Sequence, residues 1–372
     1  MSYELKKPKV VVILPTYNEA ENIELTIRKL QKVFPQLPRY ESLILVVDDN
    51  SPDGTAKVVA KLQKDYKNID LITGKKAGLG AAYVRGMNYA LSKMKAEIMF
   101  EMDSDLSHDP DVIPSFIAEI EKGAEYVVGS RYIQGGSIPS NWAWQRKLYS
   151  FLGNFIVRYG LMVTKIREWS SGYRAMKSYV FKAIEPNLEK YTGYTFQIAS
   201  LHRVIQNGFK VTEIPIHFVD RKYGESKFEV FDYAPNVIKY VFLNSSFIKF
   251  CFVGFSGFLI NLLGLEIFYR LGLRPYLATA IGAEFAIISN FILNNFWSFS
   301  HKKIENKNSV FSKFLQFNTV AVGAIIIQSA VVGVGTSSLG DDLRLFFLVL
   351  AVFFFVIPYS YFMYNRFIWK DK

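Results

Sequence analysis

Short apolar runs alternate with amphipathic stretches through the first 245 residues, and long apolar runs fill the remainder of the 372-residue chain. Val10 to Leu14, Leu43 to Val47, Ile69 to Ile72, Ile98 to Met102 and Tyr126 to Val128 have the length and side-chain type of buried strands. Between them Glu21 to Phe34, Thr55 to Lys64, Gly80 to Lys93 and Asp111 to Lys122 carry helical periodicity. Strands alternating with helices of this length predict an α/β fold, a mostly parallel sheet covered on both faces. Trp142 to Val163 reads as an amphipathic helix, with Trp144, Leu148, Phe151, Leu152, Phe155 and Tyr159 on one side and Arg146, Lys147 and Arg158 interspersed. It suits its own domain or a membrane surface equally.

From about Ser246 the solvent changes. Phe250 to Leu265 carries no charge, Pro275 to Phe299 carries only Glu284, and Phe314 to Gly340 and Leu345 to Asn365 carry none. Each is near the roughly 20 residues that span a bilayer core, so four transmembrane helices are expected. Glu284, costly inside a span, is expected to hydrogen-bond Asn290, Asn294 or Gln328. Met1 to Lys9 is too short and polar for a secretory signal. Lys302, Lys303, Lys307 and Lys313 flank one side of the spans together with Arg366, Lys370 and Lys372; Arg270, Arg274 and Arg344 flank the other. The positive-inside rule then predicts a multi-pass membrane protein with the soluble part and both termini cytoplasmic.

Composition sharpens this picture in two ways. The net charge of +11, beside membrane spans, points to anionic headgroups or an anionic lipid substrate rather than to nucleic acid. The one cysteine, Cys251, excludes a disulfide framework and a cysteine metal site.

Polar motifs fall at the carboxyl end of every expected strand, where open α/β sheets bind ligands. They are Pro15 to Glu19, Asp48 to Ser51, Gly74 to Gly80, Asp103 to Asp105 and Gly129 to Arg131. Asp103-Ser104-Asp105 carries the most information. Two carboxylates at a strand end can hold Mg²⁺ or Mn²⁺, which take one or two carboxylates plus substrate phosphates. Gly78 and Gly80 bring the backbone close to a neighbour at a helix start, but neither G-x-G-x-x-G nor a P-loop is present, which argues against a dehydrogenase or an ATPase.

In order, Val12 to Glu19, Val47 to Thr55, Met102 to Pro110 and Gly129 to Tyr132 resemble the family 2 glycosyltransferases of GT-A fold. Trp169 to Arg174, Gly193 to Gln197 and Val219 to Lys227 are similar to the dolichyl- or polyprenyl-phosphate mannosyltransferase branch. Asn290 to Phe299 and Asn365 to Phe367 are similar to a GtrA-type membrane domain. The resemblance implies a GT-A domain over residues 1–230, an interfacial linker helix over 231–246, and a four-helix membrane domain over 247–372. Its helices are expected near 247–270, 275–299, 314–338 and 345–366.

It also implies that Pro15, Tyr17, Glu19, Asp49, Gly78, Asp103 and Ser104 hold a nucleotide sugar, with Asp49 near the base or ribose. Asp103 and Asp105 would be metal ligands, and Ser107 is a further candidate where some relatives carry Gln. Arg131, Arg146, Arg221 and Lys227 are candidates for the acceptor phosphate, since arginine grips two phosphate oxygens and lysine acts as a point charge. Surface ion pairing is the alternative for any one of them, and Arg174 reads as structural. The implied reaction is inverting transfer of mannose from GDP-mannose to a dolichyl or polyprenyl phosphate. UDP-glucose or another nucleotide sugar, a glycolipid flippase and a processive synthase are the competing readings. The last lacks a Gln-x-x-Arg-Trp signature here.

Overall fold

The computed structural model describes residues 7–220 and 230–369, and the chain folds as two units, residues 1–159 with 163–241 and residues 160–162 with 242–372. In the first unit β1 (Lys9–Thr16) leads to α1 (Ala20–Val33), β2 (Glu41–Asp48) to α2 (Thr55–Asp65), and β3 (Ile69–Thr73) to α3 (Leu79–Tyr89). Then come β4 (Ile98–Glu101), α4 (Ile113–Glu121), β5 (Tyr126–Ser130), α5 (Trp144–Gly160), β6 (Arg174–Lys177), α6 (Ser178–Ile184), α7 (Gly193–Gln206), β7 (Val211–Pro215) and α8 (Val230–Asn244).

The seven strands form one sheet in the order β3-β2-β1-β4-β6-β5-β7. β6 runs antiparallel to both β4 and β5, and the other pairings are parallel. The sheet is therefore mostly parallel, and the carboxyl ends of β1, β2, β3, β4, β5 and β7 share one edge with the amino end of β6. Val10 to Leu14 and Ile44 to Val47 are wholly buried because the sheet is covered on both faces. α1 covers it through Ile23, Ile27 and Leu30, whose spacing places them on one helical face. Gly54, at φ +91°, makes the left-handed turn that admits α2.

The second unit is helical: α9 (Ser246–Arg270), α10 (Pro275–Leu293), α11 (Lys307–Leu339), α12 (Arg344–Ala351) and α13 (Ile357–Met363). A π-helical turn, Asn294–Ser298, continues α10, and another, Val352–Val356, joins α12 to α13 into one rod. Among the described residues three helices are long and apolar enough to cross a membrane: Ser246–Arg270, Ser309–Leu339 and Phe346–Ile368. α10 is a helix over most of the second expected span. α9 and α10 pack backbone to backbone, since a Cβ on Gly264 would sit 2.6 Å from Gly282 Cα. That contact turns Glu284 away: its side chain is exposed and forms no hydrogen bond with Asn290, Asn294 or Gln328, contrary to expectation.

Candidate active site

The β1 and β2 ends are laced together by their own polar side chains. Thr16 Oγ1 donates to Asp48 Oδ1 at 3.0 Å, and Ser51 donates to Asp48 from both its backbone and its hydroxyl. The Asn18 amide donates to Ser51 Oγ, that of Glu19 to Thr55 Oγ1, and that of Ala20 to Asp53 Oδ2. Burial alone would raise Asp53, but hydrogen bonds from Thr55 and Ala20 hold it below the ordinary carboxylate range. Asp48 and Asp53 are thus occupied in shaping the loops, which places Tyr17 and Asp49 at the edge.

Lys76 lies 3.5 Å from the centre of the Tyr17 ring, a cation–π contact joining the β1 and β3 loops. Asp49, almost buried, is paired with Arg85 of α3 at 2.5 Å. The Arg85 guanidinium lies where a Gly74 side chain would be, 2.7 Å from that Cβ position. Gly78 is left-handed at φ +97°, and a side chain on Gly80 would run into the Tyr191 carbonyl. The Pro15 carbonyl accepts from Ser104 Oγ at 3.3 Å, and the Ser104 carbonyl from Thr26 Oγ1 at 2.7 Å, so the β1 and β4 loops share a seam.

At the β4 end the Asp103 amide donates to His108 Nδ1 at 3.0 Å, which fixes the proton of a neutral ring on Nε2. His108 stacks on Tyr173 at 4.8 Å and serves to hold this loop. The Asp103 carboxylate is 37% exposed and accepts from Tyr83 at 3.4 Å. Asp105 is buried and accepts from the Ser107 amide at 3.0 Å. Ser107 itself is buried. Behind them Glu101 is wholly buried, and burial pushes its carboxyl up to about 7. Among the described residues no set of three or more His, Cys, Asp or Glu side chains converges as a metal site. A hard cation here would have to share its shell with substrate oxygens, and an open Asp103 beside Asp105 fits that kind of binding.

The β5 end contributes cations, each already held by an anion. Arg131 grips Glu168 with two parallel bonds, 2.8 and 2.9 Å, and donates to Ser170 Oγ at 2.8 Å. Glu168 is wholly buried; burial would raise its pKa, yet Arg131 keeps it below the usual range. Arg146 lies 3.7 Å from the Trp142 ring centre and 3.4 Å from Asp220, which also accepts from Trp142 Nε1 at 2.8 Å. Arg174 is structural: buried, it donates to the Ser171, Gln197 and Trp169 carbonyls and to the Tyr126 hydroxyl.

Tyr194 ties the two halves of the edge together. Burial first, then the fields of Arg131, Asp103, Arg146 and Glu168, bring its phenol to about 12. The candidate metal carboxylate and two candidate acceptor cations therefore act through their charge on one side chain. Arg221 and Lys227 lie outside the described residues. Glu168, Arg85, Asp220 and Tyr194 were missed by sequence reasoning; Tyr194 and Asp220 carried a signal, inside the Gly193 to Gln197 and Val219 to Lys227 motifs.

On α5 the expected face is real, with Trp144, Phe151, Phe155 and Tyr159 exposed and the last three forming a row of ring contacts. Arg146, Lys147 and Arg158 lie on the same helix.

Comparison with known proteins places the chain. Residues 11–183 match Glycosyl transferase family 2, and residues 249–369 match the GtrA/DPMS transmembrane domain. A dolichol-phosphate mannosyltransferase of Pyrococcus furiosus is 33% identical over 327 residues, 86% of this chain and 88% of that one. A polyprenol monophosphomannose synthase of Mycolicibacterium smegmatis is 38% identical over 221 residues, 59% of this chain and 80% of that one. An undecaprenyl-phosphate mannosyltransferase of Micrococcus luteus is 36% identical over 222 residues, 59% of this chain and 87% of that one.

Proposed function

We propose a reaction on the premise that this chain belongs to the family 2 glycosyltransferases of the dolichol-phosphate mannosyltransferase group, with a GtrA/DPMS membrane domain attached. It transfers mannose from GDP-mannose to a dolichyl or polyprenyl phosphate, giving the lipid phosphomannose and GDP. The observation that carries this reading is the sheet edge itself, where the exposed Asp103 carboxylate follows the end of β4 and Arg131, gripped by Glu168, follows the end of β5, with only β6 between the two strands. A donor diphosphate needs the carboxylate side of such a site and an anionic acceptor needs the cationic side.

The acceptor phosphate has a second pKa of about 6, so at neutral pH it is nucleophilic without a general base. One of its oxygens bonds the anomeric carbon as the bond from that carbon to the diphosphate oxygen breaks, and the configuration inverts. The protein supplies alignment and charge. Arg131, held rigid by Glu168, and Arg146, held by Asp220, present donors to the acceptor phosphate; Arg221 and Lys227 add two more cations. Tyr17, Glu19, Asp49 and the Gly78 loop hold the nucleotide. Mg²⁺ or Mn²⁺ bound through Asp103 and Asp105, with Ser107 close by, would neutralise the departing diphosphate.

The α5 face, aromatic on one side and basic between, suits the interface of an anionic membrane. The basic flanks of the spans favour a cytoplasmic soluble unit and cytoplasmic termini. The test is incubation of the purified full chain with labelled GDP-mannose, UDP-glucose and other nucleotide sugars, each with polyprenyl phosphate, with and without EDTA. Mannolipid formation from GDP-mannose that EDTA abolishes is the expected result; transfer from UDP-glucose alone would replace the donor assignment.

A further inference from the structure

Of the three carboxylates at and just after the end of β2, two are spent on the loop itself. Asp48 accepts from Thr16 and Ser51, and Asp53 from Thr55 and Ala20, on both oxygens in each case. Asp49 differs. Its Oδ1 accepts from Arg85 Nη2, and among the described residues nothing donates to Oδ2, although the side chain is only 8% exposed. Oδ2 is not sealed off; it keeps an opening to solvent at the sheet edge where ligands bind. Arg85 holds the carboxylate through Nη2 alone, since its Nε is buried without an acceptor.

Two glycines make this pair possible, and neither lies at positive φ, so backbone conformation calls for neither. Gly86 lets α3 lie close against the sheet: a Cβ there would be 2.7 Å from Val47 Cγ2 and 2.8 Å from Ile13 Cγ2. Gly74 clears the place for the guanidinium, whose Cζ and Nη1 lie 2.7 and 2.8 Å from the Cβ position. The Gly74 amide donates to the Asp48 carbonyl and the Asp49 amide to the Thr16 carbonyl, both at 3.0 Å, so the backbone on either side of the pair is fixed. The arrangement holds one carboxylate oxygen and leaves the other open. An ion pair that served only to hold α3 down would gain from a two-bonded grip and would have no use for an open oxygen.

We propose that Arg85 is a positioning residue, fixing Asp49 so that Oδ2 accepts a hydrogen bond from an N–H or O–H donor of the nucleoside. The inference deepens the nucleotide role of Asp49 proposed above and rests on it. It makes Arg85, which touches no substrate itself, a determinant of which nucleotide is bound.

Equilibrium binding to the full chain in detergent is measured for GDP and for four analogues that each lack one donor: inosine diphosphate, N1-methyl-GDP, 2′-deoxy-GDP and 3′-deoxy-GDP. The wild type should bind at least one analogue about tenfold more weakly than GDP, the loss expected for a hydrogen bond to a charged group. The first two analogues assign the bond to the base and the last two to the ribose. In Arg85→Met that ratio should fall to within about twofold of unity, with the weaker analogue's own affinity little changed. Gly74→Ala keeps both charges but forces the guanidinium to move, and its ratio should fall as well. A pair that is merely structural would weaken GDP and every analogue alike and leave the ratio where it was. That result in Arg85→Met, or in Gly74→Ala where Arg85→Met does not fold, would overturn the inference, as would a wild type that binds GDP and all four analogues equally. A wild type that binds UDP and not GDP fails differently: it replaces the donor proposed above, and the same ratios are then read with N3-methyl-, 2′-deoxy- and 3′-deoxy-UDP.

Discussion

The two units bury polar side chains by opposite rules. In the first, charged groups go inside: Arg131 pairs with Glu168 and a partly exposed Arg85 with Asp49, while Arg174 is held by carbonyls and Glu101 is wholly buried. In the second, every buried polar side chain among the described residues is neutral: Ser245, Asn294, Asn295, Ser298 and Ser360. Asn295 shows the style, its Oδ1 accepting from the Ile304 amide at 2.8 Å and from Trp369 Nε1 at 3.0 Å, while Trp369 stacks on Phe299. A bilayer cannot solvate an ion during folding, so neutral amides carry the polar contacts there. The sheet edge opens to water and to charged substrates, so fixed charges are useful there and tolerable. The difference agrees with the glycosyltransferase match, whose residues 11–183 fall almost wholly in the first unit.

The hardest test of that division is Asp105→Asn. It should cut transfer about a thousandfold, the equivalent of several kcal/mol of lost electrostatic stabilisation, with the unfolding midpoint little changed. Full turnover by this variant in the presence of a chelator would remove the carboxylate pair from the chemistry.

Next in size is Glu168→Gln, which strands a buried Arg131 and should cost about 3–5 kcal/mol of first-unit stability. The pH dependence follows from the depressed Glu168 pKa. The pair's contribution is complete above the ordinary glutamate value and is lost as pH falls through the lower folded value. Wild-type stability should therefore drop in acid, and the variant should show a flatter acid limb in thermal unfolding. Equal acid slopes would mean that Glu168 is not the group titrating.

These pairs were the illegible part of the sequence. The strands β1 to β5, the helices between them and the Asp103-Ser104-Asp105 loop were readable because each is written in a short contiguous stretch. β6 was not: it is four residues long, begins with a buried arginine, and gains its place only by pairing with β4 and β5. Glu168 lies 37 residues from Arg131 and carries no local sign of its partner. Asp49 was expected at the base or ribose, and only the folded chain brings Arg85 onto it through the space left by Gly74. Glu284 misled because hydropathy gives depth in a span without the face, which the Gly264–Gly282 contact decides.

A smaller effect, placed in the other unit, comes from Gly282→Val. A Cβ there would already lie 2.8 Å from the Asn261 carbonyl, so α9 and α10 must separate. Overpacking of this kind costs about 1–3 kcal/mol. Detergent-resistant folding of the helices should weaken while GDP affinity stays constant. A fall in GDP affinity would show that the division between the units is not energetic.

The smallest expected effect is the most demanding of the comparison. A chain ending at Asn244 keeps every described strand end and the apolar cluster centred on Val12, Phe100 and Ile117, and it loses the separate cluster of Phe291, Phe299, Phe317 and Trp369. If nucleotide recognition is complete in the first unit, calorimetric GDP affinity of this shorter protein should match that of the full chain within about twofold. The lost helices should cost transfer instead, because anchoring makes the encounter with a bilayer lipid effectively intramolecular. Slow transfer to detergent-dispersed acceptor, rising with acceptor concentration, would agree with that account. A folded, GDP-binding protein that transfers nothing at any acceptor concentration would mean that the helices supply part of the acceptor site, and the neutral polar side chains of the second unit would then be the place to look for it.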